Sequence, residues 1–129
     1  MTDQLVRQAR ETLVRAHAPY SEFRVGAALE AADGRVFTGC NVESASYGLT
    51  ICAERVAIGA AVAGGARRFR RIVVASETDP PAAPCGACRQ LLAEFGLDVD
   101  VIAVGPASER RWTLRALLPD AFLPESLDR

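Results

Sequence analysis

Three of the chain's four cysteines stand where metal chemistry would need them. Cys85 and Cys88 form a Cys-x-x-Cys in the run Pro84-Cys85-Gly86-Ala87-Cys88, and Cys52 opens the run Cys52-Ala53-Glu54-Arg55. Both groups fall at the start of a predicted helix. A Cys-x-x-Cys there puts both sulfurs on one side of the first turn, a common way to chelate zinc. Free backbone N–H groups and the positive end of the helix dipole also favour thiolates at that place. Three protein ligands leave the fourth tetrahedral position open for water, which is the arrangement of a catalytic site. Glu54, two residues after Cys52, then supplies a carboxylate beside the metal for proton transfer. On a regular helix residues i and i+2 point about 200° apart, so Cys52 and Glu54 converge only if both lie in the first turn. A redox dithiol is the alternative reading of the Cys-x-x-Cys, and a core thiol is the alternative for Cys52. No βαβ unit precedes the pair, and core packing does not explain the carboxylate that follows Cys52. Cys40 reads as a small buried hydrophobe. His17, the one histidine, reads as a surface residue in the last turn of the first helix.

The elements that must position these groups are legible from periodicity. Apolar residues at helical spacing predict a helix over 3–17, with Thr2 as cap and Pro19 just beyond its end. Alternation from Phe23 to Ala31 predicts a strand, Asp33-Gly34 a two-residue hairpin turn, and Arg35 to Cys40 the returning strand. The polar run 41–50 is a loop long enough to carry function. Thr50 is expected to cap a helix from Ile51 to Ala63, stopped by Gly64-Gly65 and, being apolar nearly all round, placed centrally. Ile72 to Ala75 reads as a buried strand, Cys85 to Phe95 as a helix, Val99 to Val104 as a strand and Thr113 to Leu118 as a short helix. The order αββαβαβα predicts a single α/β domain over 1–129, with antiparallel strands first and helical crossovers later.

Composition narrows the function. Half the residues are hydrophobic, 24% are charged and the net charge is -1. That balance gives no broad electrostatic reason to bind nucleic acid or an anionic membrane. The cluster Arg67, Arg68, Arg70 and Arg71 reads as a solvated loop before a strand. No apolar stretch approaches the roughly 20 residues of a membrane span, and no signal peptide is recognisable, so a cytoplasmic protein is expected. Thiols in that setting argue for metal binding rather than disulfides. All fifteen basic residues are arginine, which excludes lysine Schiff-base chemistry.

Four blocks in order, APYSEFRVGAAL, GCNVE, CAER and PCGACRQ, strongly resemble the small homotetrameric cytidine deaminases, with the resemblance running from about Ala18 to Phe122. Deaminases of this class hold zinc through His/Cys/Cys or three cysteines and use a glutamate that is not a ligand. The resemblance implies a three-layer α/β/α sandwich around a mixed sheet, one zinc per chain on Cys52, Cys85 and Cys88, and Glu54 as the catalytic proton shuttle. It supports a role for Arg55 in hydrogen-bonding the thiolates and drawing back their charge; Arg89 and Gln90, just after the last ligand, are further candidates by position. Asn41 and Glu43 would hydrogen-bond the ribose, and Phe23 would lie against the nucleoside. Tyr47 and Phe122 would reach a neighbouring subunit's site in a homotetramer with shared active sites. The implied reaction is hydrolysis of cytidine and deoxycytidine to the uridines with release of ammonia, in pyrimidine salvage. A blasticidin-S-type aminohydrolase is the nearest rival, and it resembles the chain least at the Glu of NVE and the Arg of CAER. A nucleic-acid deaminase or a closed structural zinc module fits less well.

Overall fold

The computed structural model describes residues 2–127. Its elements are α1 (Thr2–Leu13), β1 (Val25–Ala31), β2 (Val36–Cys40), α2 (Ala53–Ala63), β3 (Phe69–Ser76), α3 (Gly86–Ala93), β4 (Asp100–Val104), β5 (Glu109–Thr113) and α4 (Leu114–Leu117). The five strands form one sheet in the order β2-β1-β3-β4-β5. β1 runs antiparallel to both β2 and β3, β3 and β4 are parallel, and β5 returns antiparallel to β4. The expected mixed sheet in a three-layer sandwich is therefore present. On one face α1 lays Leu5, Ala9 and Leu13 against Ala28, Val73, Ala75, Ile102 and Val104. On the other, Ala57, Ile58 and Ala61 of α2 and Leu92 of α3 pack with Leu29, Ile72, Val74 and Val101. Both faces are covered, which is why β3 and β4 read as continuous apolar runs.

Several boundaries differ from expectation for local reasons. The first helix stops at Leu13, not 17, because the chain turns away to pair with the loop after β2: the His17 N–H donates to the Asn41 carbonyl and the Glu43 N–H to the His17 carbonyl. His17 therefore lies beside the loop after β2 and not on a helix. The hairpin turn has three residues, Ala32 to Gly34, since the Ala31 carbonyl accepts from Gly34 N–H and the Arg35 carbonyl from Ala31 N–H. Gly34 takes the left-handed conformation (φ 93°) that closes such a loop. β3 begins at Phe69, so Arg70 and Arg71 belong to a strand and not to a loop. Arg71 stands opposite Glu30 in the register and forms an ion pair with it at 2.9 Å. β5, with its run ERRWT, has no apolar alternation because it is an exposed edge strand. Backbone pairing to β4 alone defines it.

The position of α2 depends on Gly39. A Cβ built there would sit 2.5 Å from the Ala53 carbonyl oxygen and 2.5 Å from the Ala57 nitrogen. Those are backbone atoms of the helix that carries Glu54, and they cannot step aside. Gly39→Ala is expected to push α2 off the sheet and destabilise the fold by roughly 1–3 kcal/mol. Thermal unfolding of the variant should fall by about 5 °C or more. An unchanged midpoint would show that α2 can shift freely.

Candidate active site

The helix N-termini are built so that their cysteines face each other. Cys52 is the N-cap of α2 (φ -71°, ψ 153°) and Cys85 the N-cap of α3 (φ -68°, ψ 167°). The expected cap, Thr50, sits two residues too early; its hydroxyl accepts the Ser44 N–H instead. An N-cap residue has extended backbone angles. That frees Cys52 from the helical spacing, so its sulfur and the Glu54 side chain, two residues on, can approach one region. Neither cap sulfur makes a capping hydrogen bond to a backbone N–H of its own helix. Both remain directed outward beside first-turn N–H groups that have no intrahelical partner.

The Cys52 and Cys85 sulfurs are 3.9 Å apart, those of Cys85 and Cys88 3.4 Å, and the sulfurs of all three lie within 4.8 Å of one another. A tetrahedral zinc with Zn–S bonds near 2.3 Å needs sulfurs roughly 3.8 Å apart. The two separations of 3.4 and 3.9 Å lie close to that spacing, and Cys52, Cys85 and Cys88 could hold one metal ion as three thiolates. All four cysteines are free of disulfides. Cys40, half-buried at the end of β2, stands apart from the group.

Charge in the trio is unevenly shared. A hydrogen bond from the Cys88 thiol and the nearby Arg55 guanidinium pull Cys52 down to about 5. That same sulfur-to-sulfur bond, together with burial, pushes Cys88 upward. Negative charge thus concentrates on Cys52, 3.9 Å from an Arg55 Nη that also donates to the Thr50 carbonyl at 3.2 Å. The Arg55 Nε, buried, has no hydrogen-bond partner among the described residues. Glu54 is only 5% exposed. Burial pushes its carboxyl above the ordinary carboxylate range, and the negative charge on Cys52 adds to the rise.

Cys52, Glu54 and Cys85 line a cleft of about 190 Å³ with Phe23, Asn41 and Thr50. Phe23 precedes β1 and is 36% exposed, so it belongs to the cleft wall and not to the strand or core. Asn41 is buried and ties the wall together: its Oδ1 accepts from Val25 N–H at 2.9 Å and its Nδ2 donates to the Phe23 carbonyl at 2.8 Å. Thr50 is shared with an adjoining hollow of about 390 Å³ lined by Tyr20, Ser21, Glu43 and Tyr47. The Ser21 hydroxyl, then the backbone N–H groups of Ser21 and Tyr20, hold the Glu43 carboxyl below its usual range. Neither cleft is lined by an arginine or histidine among the described residues.

The remaining expected site residues stand apart from this cleft. Phe122 is 60% exposed beyond α4, and Tyr47 is 74% exposed with its ring against Tyr20 at 5.9 Å. Arg89 and Gln90 do not touch the sulfurs. Arg89 donates to the Pro84 and Leu117 carbonyls, and Gln90 donates to the Phe122 carbonyl at 2.7 Å. They fasten the C-terminal segment to the helix that carries Cys88. Thr50, Ala82 and Ala83 were not expected in the cleft. Small side chains in loops carry no signal of the wall they form.

With that geometry in place, comparison with known proteins is decisive. The family model described as the cytidine and deoxycytidylate deaminase zinc-binding region matches residues 1–104. The chain belongs to this family. This deaminase-family chain is 53% identical over 114 residues to the probable cytidine deaminase of Dictyostelium discoideum, covering 87% of this chain and 77% of that protein. It is 41% identical over 128 residues to the cytidine deaminase of Sporosarcina psychrophila, covering 97% and 93%. The crystal structure of cytidine deaminase from Burkholderia pseudomallei superposes with a TM-score of 0.91 at 48% identity, over 95% of this chain and 99% of that one. The deaminase fold therefore extends over nearly the whole chain, and the match to the zinc-binding region over residues 1–104.

Proposed function

We propose that the protein is a zinc-dependent deaminase of cytidine and deoxycytidine. The observation that carries this reading is a buried glutamate next to three converging cysteines at the floor of a small cleft. Cys52, Cys85 and Cys88 would hold the zinc, which would supply Lewis acidity for the hydrolysis. Glu54 would accept a proton from the attacking water as the water's oxygen bonds to C4 of the pyrimidine, and would deliver that proton to N3. Glu54 then carries the second water proton to the exocyclic nitrogen, the C4–N bond breaks and ammonia leaves. Burial, which raises its proton affinity, suits a group that must both take and give protons. Arg55 offsets charge on the thiolates. Phe23 covers one face of the ring, and Asn41 and Glu43 bind the sugar hydroxyls.

A nucleoside, not a nucleotide, suits the clefts. A 5′-phosphate would find no cation lining either cleft among the described residues. Ammonia release measured with cytidine, deoxycytidine, deoxycytidylate and blasticidin S tests the reading. Turnover of the two nucleosides is expected. Turnover of deoxycytidylate or blasticidin S alone would overturn it. The free thiols suit work in the cytoplasm, in pyrimidine salvage.

We also infer a homotetramer with shared sites. α2 is apolar, yet Gly59, Ala60 and Ala63 are left exposed along one side, and Val42, Leu49 and Ile51 are uncovered nearby. A second chain on that surface buries them and keeps water from the clefts, while Tyr47 and Phe122 extend outward to reach a neighbour. Light scattering should report four chains per particle. Mixed Glu54→Ala and Phe122→Ala subunits, dissociated and reassembled, should regain activity, because some sites then combine an intact Glu54 with a neighbour's intact Phe122. A monomeric mass overturns the shared-site reading, as does absence of recovery in mixed particles when Phe122→Ala alone is impaired.

A further inference from the structure

We propose that Ser21 is a positioning residue for nucleoside recognition, aiming the Glu43 carboxylate so that one acceptor position stays free for a sugar hydroxyl. The proposal deepens the reading of Glu43 as the sugar-binding residue and rests on it. Glu43 Oε1 accepts the Tyr20 N–H at 3.0 Å and the Ser21 N–H at 3.1 Å. Glu43 Oε2 accepts the Ser21 hydroxyl. A carboxylate offers about four lone-pair positions, so these bonds leave one, on Oε2. The Ser21 hydroxyl has a single proton, and Glu43 holds it. The same oxygen accepts the Phe23 N–H at 3.0 Å. Ser21 thus has no proton to offer a substrate and acts through its two neighbours.

Both sides of the contact are anchored. The Glu43 backbone is tied by its N–H to the His17 carbonyl at 2.8 Å, and Glu22 donates to the Ala18 carbonyl at 3.0 Å. Glu22 adopts the left-handed conformation (φ 59°), uncommon for a residue with a side chain. That turn lets one serine serve Glu43 on one side and Phe23 on the other. A glutamate at the rim of an open hollow would otherwise sample several rotamers. Three bonds fix it before the nucleoside arrives, and preorganisation of this kind is expressed as affinity.

The test is a double-mutant cycle read in KM and kcat for cytidine. Ser21 is exposed, so its replacement leaves no core cavity. Ser21→Ala should raise KM about tenfold, equivalent to roughly 1.4 kcal/mol, with kcat within about threefold. Ser21→Thr keeps the hydroxyl and should stay within about twofold of the parent. In a Glu43→Ala background Ser21→Ala should add less than about twofold, because the group it acts through is gone. A full tenfold rise in that background, or a Ser21→Ala KM equal to the parent's, overturns the proposal. Glu43→Ala with an unchanged KM overturns it together with the assignment of Glu43 to the sugar. A parent enzyme that releases no ammonia from cytidine fails at the earlier level of the proposed function.

Discussion

Glu54→Gln is expected to retain one zinc per chain and to lose about 10⁴-fold in kcat, the upper end of what a general acid–base group contributes. The amide matches the carboxylate in size, so the thiol group beside it should be undisturbed. It cannot accept the water's proton, and every later transfer depends on that one. Metal analysis alongside steady-state kinetics separates the two effects, and a variant within tenfold of the parent would remove Glu54 from proton transfer. Stability gives an independent check. The folded-state pKa of Glu54 is raised by burial, so the unfolded chain gives up this proton at lower pH than the native one. At low pH both states hold the proton and the carboxyl carries no penalty. As pH climbs from the unfolded value, about 4.3, through the higher native value, stability is lost. In metal-free protein Glu54→Gln should therefore melt at or above the parent temperature at pH 7. The difference should shrink towards pH 4. A Gln variant that melts lower at pH 7 would contradict the desolvation argument.

Cys85→Ala is expected to abolish tight zinc binding and to lower activity by at least about 10³-fold, since a two-thiolate site neither retains the ion nor keeps a water acidified. Cys85 is exposed at a helix start, so its loss creates no core void and the melting temperature of metal-free protein should hardly move. Cys40→Ala serves as the contrast: Cys40 lies outside the thiol group, and full zinc content is expected. Zinc retained by Cys85→Ala, or lost by Cys40→Ala, would overturn the ligand assignment.

The sequence by itself determined which thiols and which carboxylate are the candidates for the site, because these groups stand within single local elements. Cys52 and Glu54 share one helix start, Cys85 and Cys88 another, and a few residues of spacing suffice to place them. Alternation and helical periodicity likewise determined most of the αβ order, since the core faces of α1 and β1 impose their patterns locally. What periodicity could not carry was anything defined by pairing across the fold. β5 has no apolar pattern and exists through its backbone bonds to β4. α1 ends early because His17 pairs with the loop after β2. The first helical residue of α2 follows from Cys52 being held as its cap opposite Cys85. Only the tertiary structure set the two cysteine segments 3.9 Å apart at the sulfurs, lowered Cys52 through the Cys88 thiol and Arg55 while raising Glu54 by burial, and bound Glu43 to a serine 22 residues away. Distances between segments far apart in the chain, and the burial that shifts a proton affinity, arise from packing many residues at once; no short window of sequence contains them.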